Sequence, residues 1–117
     1  MNKKLLAMKS DIEVKTIERY SVMMFSSCNA DNAKKAVIIM TGENAFLGYI
    51  NFLADGAILP EAHKSYNLFY YYYHFSDLSA MVDLMRNEKP VYLFYMENNK
   101  SECRISTTLE PIGEGEI

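Results

Sequence analysis

Hydrophobic positions in this chain of 117 residues alternate more often than they recur at helical spacing, and one run organises the rest: Tyr66-Asn67-Leu68-Phe69-Tyr70-Tyr71-Tyr72-Tyr73-His74-Phe75. The run is strand-like in composition, with neither Gly nor Pro, and far too short to cross a membrane. Side chains alternate across a strand, so Leu68, Tyr70, Tyr72 and His74 share one face, and Phe69, Tyr71, Tyr73 and Phe75 share the other. A strand wet on one side carries a charged or small polar residue at every second position, and between Leu68 and Phe75 only His74 breaks the apolar set. Both faces therefore need cover, from the core or from a partner.

Upstream, residues 12–26 carry strand-forming side chains whose parity breaks. Ile12 and Val14 lie on one parity, Ile17 on the other, and Tyr20, Val22 and Met24 return to the first. A bulge or sharp bend at residues 16–18 reconciles them. The polar stretch 26–34 reads as a connection, and Val37-Ile38-Ile39-Met40 as a short buried strand. Thr41-Gly42-Glu43-Asn44 supplies turn chemistry, and residues 45–53 form the second arm of a hairpin, with Phe46, Ile50 and Phe52 facing one way. Gly48 interrupts that face and marks a bend, or a place where a large side chain lies over the backbone. Asp55-Gly56 is a turn, Ala57-Ile58-Leu59 a brief strand stopped by Pro60, and residues 61–65 a loop.

Downstream, Ser76 is placed to cap a helix and Asp77 to favour its N-terminal dipole. Leu78, Met81, Val82 and Met85 then form an apolar stripe opposite Ser79, Asp83 and Arg86, which predicts one amphipathic helix over 76–87. Asn87 terminates it ahead of Pro90. Residues 90–96 are strand-like, and Glu97-Asn98-Asn99-Lys100 signals a hairpin pairing Phe94 with Cys103 and Tyr92 with Ile105. That register makes Tyr92, Phe94, Cys103 and Ile105 the core face. It leaves Val91, Leu93 and Tyr95, with Glu102, Arg104 and Ser106, half-wet or turned to a partner. The fold expected is α+β: an antiparallel sheet of about six strands, curved or barrel-like, with one helix against it. It is a single domain over 1–117, fraying at 1–10 and 111–117.

Composition narrows the partners. A formal charge of -3 and a pI near 5.3, with basic residues spread out apart from Lys3-Lys4 and Lys34-Lys35, leave no field for phosphate backbones, so no nucleic-acid partner is expected. The apolar part of the start, Leu5-Leu6-Ala7-Met8, ends at Lys9, too short for a secretory signal, and points to a cytoplasmic protein that does not enter a membrane. Cys28 and Cys103 are too few for a disulfide framework and lack the spacing of a metal site.

A search for chemistry returns little. A nucleophilic site needs a base beside the nucleophile, and His63 and His74 are the two histidines. Cys28 has no cationic cluster near it in sequence to activate its thiol, and the hairpin register turns Cys103 inward. Glu61-x-His63 is the nearest approach to a metal pair, and His74 reads as a core histidine. Gly42, Gly48 and Gly56 are isolated, so no phosphate-cradling loop is present. No catalytic or metal site is expected.

The tyrosines read first as core and subunit-contact residues. The function expected is a non-enzymatic domain that associates, with itself or with a protein partner, through an aromatic sheet face, with Tyr71, Tyr73, Leu93 and Tyr95 as interface or ligand candidates. The alternative is a binder of a small flat ligand. Over about thirty residues the order strands, helix, hairpin is similar to that of the flavin-binding split barrels, and Arg86-Asn87-Glu88-Lys89-Pro90-Val91 resembles their helix-to-strand junction. No cofactor is expected on the first reading; on the alternative the resemblance implies a flavin, with Lys64, Arg86 and Lys89 as the phosphate-binding candidates.

Overall fold

The strand whose hydrophobic parity breaks is the strand that changes sheet. In the computed structural model, which describes residues 11–26 and 34–108, β1 (Ile12–Ile17) and β2 (Arg19–Met24) are parted by Glu18. β1 pairs with β7 (Val91–Met96), whereas β2 pairs with β3 (Lys34–Thr41). Glu18 donates its N–H to the Thr41 carbonyl (2.9 Å), and Thr41 is also the register partner of Arg19. Two residues thus face one across the ladder, which is how a bulge bends a strand. The ends expected to fray, and Cys28, lie outside the described residues.

The remaining elements are β4 (Phe46–Leu53), β5 (His63–Ser65), β6 (Leu68–His74), a 3-10 turn (Phe75–Asp77), α1 (Leu78–Asn87), a second 3-10 turn (Lys100–Glu102) and β8 (Arg104–Thr107). The fold is α+β with curved, mostly antiparallel sheet, as the sequence predicts; among the described residues eight strands are divided between two sheets that do not close into a barrel. One sheet has the order β1-β7-β8 and the other β2-β3-β4-β6-β5. All pairs are antiparallel except β4 with β6, which run parallel.

The core fills the space between the inner face of the five-stranded sheet and its two covers, α1 and β7. Ala36, Ile38 and Met40 of β3, Ile50 and Phe52 of β4, and Phe69 and Tyr71 of β6 meet Leu78, Met81 and Met85 of the helix and Val91, Leu93 and Tyr95 of β7. Removing this much apolar surface from water is the main force holding the sheets together. Gly48 sits in the same layer, opposite Phe69, with φ +147°, and a Cβ built there would lie 2.0 Å from the Phe69 carbonyl oxygen. What approaches Gly48 is therefore the neighbouring backbone, not a large side chain. Phe46 leaves the expected face, because the register shifts between Met40 and Thr41, and its ring meets Tyr49 instead.

Three local expectations are corrected. Residues 57–59 form no strand, and the short strand is β5, which the sequence reads as loop. β5 pairs antiparallel with β6 across Tyr66 and Asn67, both with positive φ (51° and 65°), so the aromatic strand begins at Leu68 rather than Tyr66. Ser76 does not cap the helix: its N–H is bonded by Asp55 Oδ1 (2.9 Å), and α1 starts at Leu78 after the 3-10 turn. The stripe itself stands, and the helix ends at Asn87.

The last hairpin slips by one residue. Leu93 pairs with Ile105 and Phe94 with Arg104, because residues 100–102 wind into a 3-10 turn instead of joining the strand. A slip of one exchanges the two faces of β8, so Arg104 now lies over the Phe94 ring (3.9 Å). Cys103 stays out of the ladder, and its sulfur accepts the Met96 N–H (3.3 Å). The core side of β7 is Val91, Leu93 and Tyr95, the reverse of the face the sequence assigns.

Candidate functional site

Parallel pairing of β4 with β6 sets Tyr49 beside Tyr70 and Asn51 beside Tyr72, on the side of the sheet turned away from the core. β5 adds His63 opposite Tyr70, and β3 adds Ile39 opposite Tyr49 and Val37 opposite Asn51. The outer face therefore carries two cross-strand rows, one of Ile39, Tyr49, Tyr70 and His63, the other of Val37, Asn51 and Tyr72. Cross-strand aromatic neighbours of this kind stabilise a sheet and stiffen its surface.

The rings touch in sequence. Phe46 meets Tyr49 edge-on with centroids 5.1 Å apart, Tyr49 lies 5.6 Å from Tyr70, and His63 stacks on Tyr70 at 4.8 Å with 9° between planes. His63 also lies over Tyr72 at 5.8 Å. Lys34, Tyr49, Asn51, Leu53, Tyr70 and Tyr72 line a shallow cleft of about 300 Å³ on this face. Asn51 is buried there, while the tyrosines are half-buried, so the surface combines flat apolar area with amide and hydroxyl groups. Burial holds the Tyr72 hydroxyl above its usual range, with Tyr70 adding to the effect.

The candidates named from sequence fall elsewhere. Tyr71, Leu93 and Tyr95 are all inside the core, at 2%, 0% and 1% exposure, and Tyr73 is half-buried against it. The Tyr71 hydroxyl donates to the Phe94 carbonyl and the Tyr95 hydroxyl to Glu97 Oε1 (2.8 Å), so both join the two sheets or finish the hairpin. Burial is the main cause that raises both hydroxyls' affinity for their protons, and the bond from Tyr95 is the main cause that lowers that of Glu97. A second cleft, of about 280 Å³, opens beside Tyr71, Tyr72 and Tyr73, where Pro60, Lys100 and Cys103 also line it.

The phosphate candidates are not brought together. Lys64 forms an ion pair with Glu13 (2.7 Å) and lines a cleft of about 470 Å³ between β1 and the turn after β3. Arg86, which pairs with Asp83 (2.8 Å), and Lys89 line a different cleft of about 550 Å³, along with Arg19 and Tyr20. His63 Nδ1 lies 3.4 Å from its own loop's Glu61 carbonyl, and His74 Nε2 lies 2.8 Å from the Ala57 carbonyl. Among the described residues no group of three or more His, Cys, Asp or Glu is placed to hold a metal ion. Nor, among them, is any helix long and apolar enough to cross a membrane.

Sequence reasoning missed the outer row because both parities of residues 68–75 are apolar. The signal that could have chosen between them is in β4, where Ile50 and Phe52 alternate with Tyr49 and Asn51. The purely apolar parity marks the core side, and pairing carries that choice to β6. No family model matches the chain, and neither a curated protein nor a solved structure matches it.

Proposed function

We propose that this chain is a non-enzymatic association domain, which joins a second copy of itself or a protein partner through the outer face of its five-stranded sheet. The observation that carries this reading is the connected cluster of rings Phe46, Tyr49, Tyr70, His63 and Tyr72, on the side of the sheet opposite the packed core. Tyrosine-rich, half-wet surfaces suit protein contacts, since each ring offers large area at small entropic cost and a hydroxyl for the rim. Light scattering across a concentration series tests it, with the double variant Tyr49→Ser/Tyr70→Ser as comparison. The native protein should reach a higher average mass than the variant, and superposed curves reject the reading.

A second reading, a small anionic flat ligand, is favoured by the cleft of about 550 Å³ where Arg19, Arg86 and Lys89 meet Tyr20. Clefts of this size suit small molecules, and the guanidinium groups suit phosphate. Flavin mononucleotide is the probe suggested by the split-barrel resemblance. Quenching of its fluorescence by the native protein, abolished in Arg19→Ser/Lys89→Ser, would support the reading, and unchanged fluorescence would reject it.

A further inference from the structure

A sheet can also associate through its edges, and the four edges formed by the described residues are not alike. β1 carries Glu13 and Lys15, β5 is three residues long and includes Lys64, and β8 is four residues long and begins with Arg104. Charge and shortness are the usual defences of an exposed edge against pairing. β2 has neither beyond Arg19: from Tyr20 to Phe25 there is no charge, proline or glycine. Among the described residues no strand lies along its other side.

The run is also exposed. Val22 is 38% exposed, Met23 45%, Met24 63% and Phe25 42%, on both faces of the strand. Tyr20, Val22 and Met24 sit opposite Met40, Ile38 and Ala36, all wholly buried, so they prolong the inner apolar face beyond the reach of its cover. Tyr20 packs against the core, whereas Val22 and Met24 are exposed.

Hydrogen bonding sets how this edge can be completed. Phe25 donates its N–H to the Lys35 carbonyl (3.0 Å), and main-chain groups alternate between the two sides of an antiparallel strand. The amides and carbonyls of Tyr20, Val22 and Met24 therefore point away from β3.

We propose that β2 pairs antiparallel with β2 of a second copy of this chain, about a two-fold axis through Val22. That register sets Val22 against Val22, and Tyr20 against Met24 at both ends. It joins the outward-pointing groups into about six hydrogen bonds, more than a shift of one pair in either direction allows. Inner faces remain on the same side of a continuous sheet, which a two-fold normal to the sheet requires. Charges agree with it, because Glu18 and Arg19 come opposite Ser26 and Phe25 and no like charges face one another. The exposed surface of the four apolar residues is roughly 400 Å² per copy, so their complete burial on both copies would remove at most about 800 Å², less than a standard specific interface. The dimer is consequently weak and concentration-dependent.

This contact is separate from the aromatic face. Hydrogen exchange and sedimentation equilibrium of the native protein, Val22→Pro and Met24→Lys test it over a concentration series. Proline at 22 removes an N–H that β3 does not use, and lysine at 24 adds charge at an exposed site, so neither change disturbs the β2–β3 ladder. Amides of Tyr20, Val22 and Met24 should gain protection as native concentration rises, and both variants should weaken pairing at least about 10-fold. Amides that exchange alike at every concentration, or variants that associate like the native protein, overturn it. Loss of association in Met24→Lys with none in Tyr49→Ser/Tyr70→Ser would support the edge contact and reject the face; the opposite pattern would do the reverse.

Discussion

An alanine at Gly48 would have to place its Cβ 2.0 Å from the Phe69 carbonyl oxygen while holding φ at +147°. Neither demand can be met without parting β4 from β6, the parallel pair on which the outer aromatic rows depend. Gly48→Ala should cost at least about 3 kcal/mol, measured as a lowered urea midpoint, and a loss below 1 kcal/mol would contradict the close approach. Tyr71 and Tyr95 act through their protons. Burial raises both above the ordinary tyrosine value of 10, so their contribution is complete below pH 10 and declines above it, as unfolded tyrosines ionise while the folded ones hold their protons to higher pH. The denaturation midpoint should therefore fall above about pH 10, and Tyr71→Phe/Tyr95→Phe should flatten that fall. A native midpoint that stays level up to pH 11 would count against it.

At the scale of elements, the turn between β5 and β6 is locally strained. Tyr66 holds φ 51° and is 97% exposed, so its ring contributes no packing, while its conformation is one that Asn and Gly adopt more readily. Tyr66→Asn should raise stability by about 0.5–1 kcal/mol in urea titrations, and a decrease would mean that the ring has a partner elsewhere. This strain also explains why sequence reading ran the aromatic strand back to Tyr66: nothing in a tyrosine signals a left-handed turn. The helix was legible because its stripe is continuous, and the bend between β1 and β2 because parity breaks there. The β7–β8 register was not legible. Glu97-Asn98-Asn99-Lys100 has the composition of a tight hairpin, yet the 3-10 turn at Lys100–Glu102 takes up residues that a tight turn would have paired. One residue of slip sets Ile105 beside Leu93 instead of Tyr92, on the side of β7 that carries Leu93 and Tyr95 into the core.

For the whole molecule, alternation along a strand shows that two faces exist without showing which lies inside. Both parities of β6 demanded cover, and the second sheet supplied it on the side of Tyr71, through Tyr95 and Leu93, alongside the helix. Three of the four apolar candidates named from sequence, Tyr71, Leu93 and Tyr95, are therefore among the most deeply packed residues, and the outer face is left to Tyr49, Tyr70, Tyr72 and His63. Hydroxyl-radical footprinting of the native protein at low and high concentration tests the central claim, that this outer row is the contact surface. Tyr49, Tyr70 and Tyr72 should label in dilute solution and lose reactivity as concentration rises, with Tyr71 and Tyr95 protected throughout. Labelling of the outer tyrosines that does not change with concentration, or labelling of Tyr71 and Tyr95 as strong as theirs, would contradict it.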